Sequence, residues 1–383
     1  MSIDFHQSAG PTVGVEVELE LVDRASGELA SAASEILTEV GAGHSSDGHP
    51  RAKHELFECT IEIITGICET AGEARADLEG TLAEVTAAAE RRGLAVMCSG
   101  THPFSRWHAQ TISPDPRYLG LVEEMQWMAR RLAVFGVHVH VGVRSADKVV
   151  PIANALAGYI PHLLALSASS PYWEGDDTGL ASSRSKIFEG LPNAGLPTPL
   201  ETWSDFEAFV GTLVTSQAIK TIREVWWDIR PHPDFGTVEL RMCDGIPTMT
   251  EVAAIAAMAQ SLVSWLDHLH DRGYQLPRHR PWVLQQNKWR AGRHGLDTSI
   301  IIDDAGAQQP LRSAIEETLE ELMPVAHRLD CEAELAGVHD ILAVGPSYVR
   351  QRAAAGTDLD LHAVVDLLVA EMAAGRPLGA VTP

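Results

Sequence analysis

"TVGVEVELELVD", residues 12–23, alternates apolar and acidic side chains without a break: Val13, Val15, Val17, Leu19 and Leu21 against Glu16, Glu18 and Glu20. A period of two is the signature of a β-strand with one buried face. The other face then carries three carboxylates in a row, about 6.5–7 Å apart at two strand rises each. Such a row is either a solvated edge or a wall of hard oxygen ligands for divalent cations. The remaining strands decide between the two.

Three further stretches repeat the pattern. In "HELFECTIEIITG" Glu58 and Glu62 stand four apart, so a strand there puts both on one face with Thr60 between them, and Phe57, Ile61 and Ile63 on the other. In "FGVHVHVGV" His138 and His140 alternate with Val137, Val139 and Val141, and neutral imidazole is a common metal ligand. In "WWDIRPHPDFGTVELRMCD" Glu239 and Arg241 share a face opposite Val238, Leu240 and Met242, and Arg230 lies one strand earlier across a "PHPDFG" turn. One arginine beside a carboxylate is an ordinary ion pair. Two arginines converging on a face that already holds five carboxylates suggest a phosphate bridging arginine and metal. E-x-E, E-x-x-x-E, H-x-H and E-x-R, each on its own strand, point to a multi-metal site on a sheet.

Composition narrows the function classes. The 383 residues allow one large domain or two smaller ones, and 45% hydrophobic, 6% aromatic and 21% charged residues describe a soluble globular protein. A formal net charge of −23 argues against nucleic acid and against anionic membranes as partners, so an anionic substrate needs a local cluster of arginine, lysine or metal. Cys59, Cys68, Cys98, Cys243 and Cys331 are odd in number and form no CxxC pair, which favours a reducing cytoplasm over a disulfide framework or thiolate zinc site. "MSIDFHQSAG" has neither a basic nor an apolar signal region. The apolar run at 252–266 is shorter than the ~20 residues a membrane span needs and is expected to be a buried helix.

Expected strands cover 12–22, 56–65, 94–99, 135–143, 224–229 and 237–243. Helices are expected at 71–92, ending at Gly93, at 118–133, at 151–167 with Pro151 in the first turn, and after capping boxes at Ser204/Glu207 and Thr248/Glu251. Helices at 311–329 and 358–374 make a helical C-terminal part. Residues 169–202 form the chief irregular region, either a functional lid or a poorly ordered insertion. The class is α+β, a mainly antiparallel sheet with one polar face and helices on the other. His268 and His270 stand two apart on a helix and do not share a face, Trp226 and Trp227 point to opposite strand faces, and neither a P-loop nor GxGxxG is present.

"TVGVEVELELVD", "ELFECTIEIITG", "GTHPF", "GVHVHVGV", "SSPYWEGDDTGLASSRSKIFEGLPNAGLP", "TVELRMCD" and "NKWRAGRHGLD" occur in an order that resembles the carboxylate-amine ligase family, the type 2 glutamate–cysteine ligases, from about residue 10 to beyond 300. The resemblance implies a glutamine synthetase-like fold whose polar sheet face is a funnel for metal and ATP. It implies one catalytic domain over 1–383, with a sheet core at 10–300 and a helical part at 301–383. Glu16, Glu18, Glu58, Glu62, His138 and Glu239 would be metal ligands, with Glu20 the least expected member of the row. Arg241 and Arg230 would contact the transferred phosphoryl or the nucleotide phosphates, and His140 nucleotide or substrate. Arg184 and Lys186 are either lid contacts to an anionic substrate or a solvated loop. Asn287, Lys288, Arg290 and Arg293 either bind nucleotide or carboxylate or lie on a solvated helix. The implied cofactors are ATP and two or more Mg²⁺ or Mn²⁺ ions, and the implied substrates a glutamate-like carboxylate and an amine such as cysteine, with a homodimer as a possible assembly. The rivals are a metal-dependent hydrolase on the same wall and a degenerate metal- or nucleotide-binding protein.

Overall fold

The computed structural model of the protein describes residues 2–44 and 48–378. Its centre is a seven-stranded sheet built from β1 (Val13–Asp23), β2 (Ala52–His54), β3 (Thr60–Ile64), β4 (Leu94–Met97), β5 (Gly136–Gly142), β6 (Ile229–His232) and β7 (Thr237–Asp244). The order is β6-β7-β5-β1-β3-β2, with β4 also on β1, and every pairing in it is antiparallel. The eleven residues of β1 give it room for three neighbours: β5 along its first half, β3 along its middle and β4 at its end.

Period-two patterning decides which face is buried. Val13, Val15, Val17, Leu19 and Leu21 join Ile61, Ile63, Val137, Val139, Val141, Val238 and Leu240 in one hydrophobic cluster. The helices Ala71–Glu90, Ala146–Leu156, Ile160–Ser167 and Met249–Asp271 pack on that side. Two helical stretches, 146–167 and Met249–Asp271, are long and apolar enough to cross a membrane, and most of each lies buried inside the protein. The same cluster takes in Leu311, Ile315, Leu319, Leu335, Val338 and Ile341 from the C-terminal helices.

Several local expectations shift. The strand expected at 56–65 begins only at Thr60, because Thr60 N–H closes a turn on the Phe57 carbonyl (3.0 Å) and Glu58 N–H goes to Thr111 O (2.9 Å). Pro151 lies inside the helix Ala146–Leu156, and it is Pro161 that occupies a first-turn position, in Ile160–Ser167. The helix Trp203–Thr215 is capped by Thr202 with Asp205, two residues before the expected box, whereas Thr248 does cap Met249–Asp271. The helix expected at 118–133 breaks at Gln126, whose φ is 51°, into Pro116–Met125 and Trp127–Arg130. Trp226–Trp227 pairs in parallel with Ala194–Gly195, and Arg230 belongs to β6.

Residues 169–185, the first half of the irregular region, are ordered against the sheet rather than forming a loose insertion. Asp244, at the end of β7, accepts from Ser169 N (2.9 Å), Ser170 Oγ (2.7 Å) and Ser182 Oγ (2.8 Å), which ties the segment to the sheet. Ser169, Ser170, Ser182, Ser183, Arg184 and Ser185 are all buried as a result.

Arg350 anchors the C-terminal helices. Its buried guanidinium donates to both oxygens of Glu251 (2.9 Å each) and of Glu371 (2.8 and 3.1 Å). R350M leaves two buried carboxylates facing each other, so a loss of about 3–5 kcal/mol is expected in denaturant unfolding, and a loss below about 1 kcal/mol would contradict it.

Two buried histidines make stability depend on pH. Burial lowers His102 to about 3 and His162 to about 4, while both titrate near 6.5 in the unfolded chain. The unfolded state therefore binds more protons, and stability falls as pH drops from about 6.5 towards 4. H162Q should flatten that slope, and an unchanged slope would rule His162 out as a contributor.

Candidate active site

The sheet register brings the charged residues together on the face opposite the helices. Glu18 stands directly across from Glu62, Glu16 across from His138, and Glu239 across from both His140 and Arg230. Directly opposed ionised carboxylates repel, so the Glu18–Glu62 pair needs a proton or a cation beside it, and Lys53 Nζ already lies 3.1 Å from Glu62. The cavity over this face holds about 200 Å³ and is lined by Glu16, Glu18, Glu62, His138, His140 and Glu239, together with Arg184, Arg230 and Arg241.

Two ligand triads meet at Glu16. Glu16, Glu62 and His138 offer three ligand atoms within 4.8 Å of one another, and so do Glu16, His140 and Glu239. His138 Nδ1 lies 3.4 Å from Glu16, and His140 Nε2 lies 3.8 Å from Glu16 and 3.7 Å from Glu239. His140 Nδ1 sits 3.0 Å from Thr237 Oγ1, which fixes the ring.

The electrostatics suit a cation beside an anion. Burial, reinforced by Glu55, pushes Glu18 up to about 8, and burial with the Glu16 charge drives Glu62 well above the carboxylate range. Burial opposes ionisation of Glu16 too, but the His138 hydrogen bond, the neighbouring His140 and the Lys53 charge hold it below that range. Glu239 is likewise held low against burial by Arg230 and Arg241. Burial and then Arg241 lower His138 to about 4, so its imidazole is neutral at pH 7, the form that binds metals. Among the described residues His138 Nε2, Arg184 Nε and Arg241 Nε are buried without a partner. An unpaired buried acceptor and two unpaired buried donors are costly alone and fit a metal ion and an anionic group.

Several expected residues lie elsewhere. Glu58 precedes β3, and its carboxylate caps the Ala33–Gly41 helix, accepting from Ser34 Oγ (2.7 Å) and Ser34 N (3.1 Å). It is removed from the ligand set. Glu20 accepts from Ser99 N (2.9 Å) and Ser99 Oγ (2.7 Å), fully buried away from the cavity. Lys186 pairs with Glu189 (2.8 Å), and Lys288 is buried between Asp228 (2.6 Å) and Glu189 (2.7 Å). Asn287 clamps Ile301 through its N–H and C=O (2.8 Å each), Arg290 donates to Ser299 O (2.9 Å) and Arg293 to Gly179 O. None of the five lines the cavity, and each is engaged by partners within the protein. Of the cofactor-binding candidates only Arg184 reaches it.

The sequence reading missed Lys53, Glu55, Arg117, Tyr118 and Arg223, all on the cavity wall. Lys53 stands opposite Glu62 with Nζ 3.1 Å from its carboxylate, and Tyr118 Oη donates to Glu55 (3.0 Å). Glu55, and not Glu58, lines the cavity.

The description "Glutamate-cysteine ligase family 2(GCS2)" matches residues 12–365. A Frankia casuarinae protein named "Putative glutamate--cysteine ligase 2-1" is 57% identical over 379 residues, covering 99% of each chain. A Thermobifida fusca protein named "Putative glutamate--cysteine ligase 2" is 52% identical over 377 residues, covering 98% of this chain and 94% of the other. The solved glutamate–cysteine ligase of Francisella tularensis, a complex with AMP, superposes with a TM-score of 0.68 over 99% of this chain and 91% of that one, at 13% identity, a shared fold. Sheet, site and relatives together define an ATP-dependent ligase that joins a carboxylate to an amine as an amide. The chain belongs to glutamate–cysteine ligase family 2.

Proposed function

We propose that the protein uses ATP to phosphorylate the side-chain carboxylate of glutamate or a close analogue, and that an amine such as cysteine then displaces phosphate to give the amide. The observation that carries this reading is the pair of ligand triads sharing Glu16, with the unpartnered Arg184 and Arg241 Nε atoms beside them. Mg²⁺ or Mn²⁺ would be held by Glu16, Glu62 and His138, with Glu18 and Glu55 close by, and by Glu16, His140 and Glu239. When bound, the ions neutralise the polyphosphate and polarise the terminal phosphoryl group.

The chain's own cations divide the work. Arg230 gives Nε and Nη2 to Glu239 (2.8 and 2.6 Å) and Nη1 to the carbonyls of Val225 (3.1 Å) and Arg223 (3.2 Å). With its donors committed, Arg230 holds Glu239 in place. Arg241 also pairs with Glu239 but keeps its Nε free, so Arg241, with Arg184, stabilises the charge on the transferred phosphoryl or the substrate carboxylate. Five buried free thiols and the use of ATP fit a cytoplasmic enzyme acting on small molecules.

Phosphate release from ATP, measured with pools of amino acids and of amines, tests the reading. Strict dependence on both pools is expected. Release without an amine would instead mark a hydrolase, and nucleotide binding without release a binding protein.

A further inference from the structure

Gly136 lies two residues before His138 on β5, so its missing side chain would stand on the site face in line with His138 and His140. The Arg184 guanidinium occupies that space. A Cβ built at Gly136 would collide with Arg184 Nη2, with Cζ at 2.8 Å and Nε at 3.1 Å, all closer than ordinary van der Waals contact. The Arg184 backbone is fixed, so a side chain at Gly136 would have to be met by the guanidinium swinging aside. The helix carrying Arg184, Ser183–Phe188, is capped by Ser182, whose hydroxyl is bound to Asp244, and Arg184 N–H is held by Ser170 Oγ (3.1 Å). The Phe188 ring lies on the guanidinium at 5.6 Å.

The seated guanidinium is under-used by the protein. Among the described residues it makes two long donations, Nη1 and Nη2 to Arg241 O at 3.4 Å each, and no carboxylate pairs with it. The backbone N–H of Gly136 meanwhile donates to the Glu18 carboxylate. One residue therefore fixes a carboxylate through its N–H and seats a cation against its bare Cα.

We propose that Gly136 is a positioning residue, whose lack of a side chain sets the Arg184 guanidinium beside Glu18 to receive an anionic oxygen of the substrate or its phosphorylated form. The proposal rests on the role given to Arg184 above, and the test separates the two.

G136A displaces the guanidinium by the order of an ångström, and kcat/KM should fall about 100-fold. G136A/R184A should be no worse than R184A, since the residue being displaced is gone. Added guanidinium ion should partly restore R184A but not G136A/R184A, because the new methyl fills the seat. The melting temperature of G136A should drop and recover in G136A/R184A. Full activity in G136A, additive losses, or equal rescue of both R184A variants would overturn the proposal. If G136A does not fold, G136A/R184A must, and its failure to fold would overturn the seat. A melting temperature that recovers while R184A keeps full turnover would leave the seat but remove Arg184 from the chemistry, which overturns the positioning role.

Discussion

Replacing Glu16 with Gln is expected to abolish metal-supported catalysis while leaving the fold intact. Glu16 is the one residue common to both ligand triads, so a neutral amide there weakens two sites at once. Losing an outer-sphere partner of a metal ligand costs about 10–100-fold in affinity, so loss of a shared ligand should exceed that for Mn²⁺ and for Mn²⁺-dependent nucleotide binding. Turnover should drop on the order of 10³-fold. The metal-free variant should stay folded but melt somewhat below the parent, because the ionised Glu16 carboxylate is favoured by its contacts with His138 and Lys53. Calorimetric titration of nucleotide with and without Mn²⁺, beside circular dichroism, checks both halves. Unchanged nucleotide affinity would remove the metal assignment.

Arg241→Lys is expected to have the second large effect. Lysine keeps the charge that pairs with Glu239 but loses the planar fork and the unpartnered Nε. An arginine that stabilises a phosphoryl transition state is worth about 10³–10⁵ in rate, so kcat should fall by about 10³-fold or more. Stability should change little, since Arg230 still balances Glu239 at 2.6 Å. A large drop in melting temperature with normal kcat would make Arg241 a structural partner of Glu239 instead.

Much of the sheet was legible because its long strands alternate strictly. β1, β5 and β7 each show period two, and that alone separates Glu16, Glu18, His138, His140, Glu239 and Arg241 from the core valines and leucines. The register was not legible, since nothing local says that Glu16 faces His138 or that Glu18 faces Glu62. Glu58 was misplaced because Leu56, Phe57 and Cys59 look like strand but are buried in a turn, within a separate cluster around Tyr118. Lys53 escaped because three residues of β2 are too few to show a period. The Ser-rich stretch around Arg184 looks like a solvated loop, and only Asp244, distant in sequence, explains its burial. Lys288 similarly looked available for a ligand until Asp228 and Glu189 were brought beside it.

Trapping the activated acid tests the central claim most directly. The enzyme should be given glutamate, ATP and Mg²⁺ with hydroxylamine in place of the natural amine, and both nucleotide and acid products identified. Metal ligands and arginines gathered on one sheet face suit transfer of a terminal phosphoryl group, so the account predicts a γ-hydroxamate together with ADP and phosphate. AMP and pyrophosphate would mean attack at the α-phosphate and an adenylate, and would contradict the account even if a hydroxamate formed.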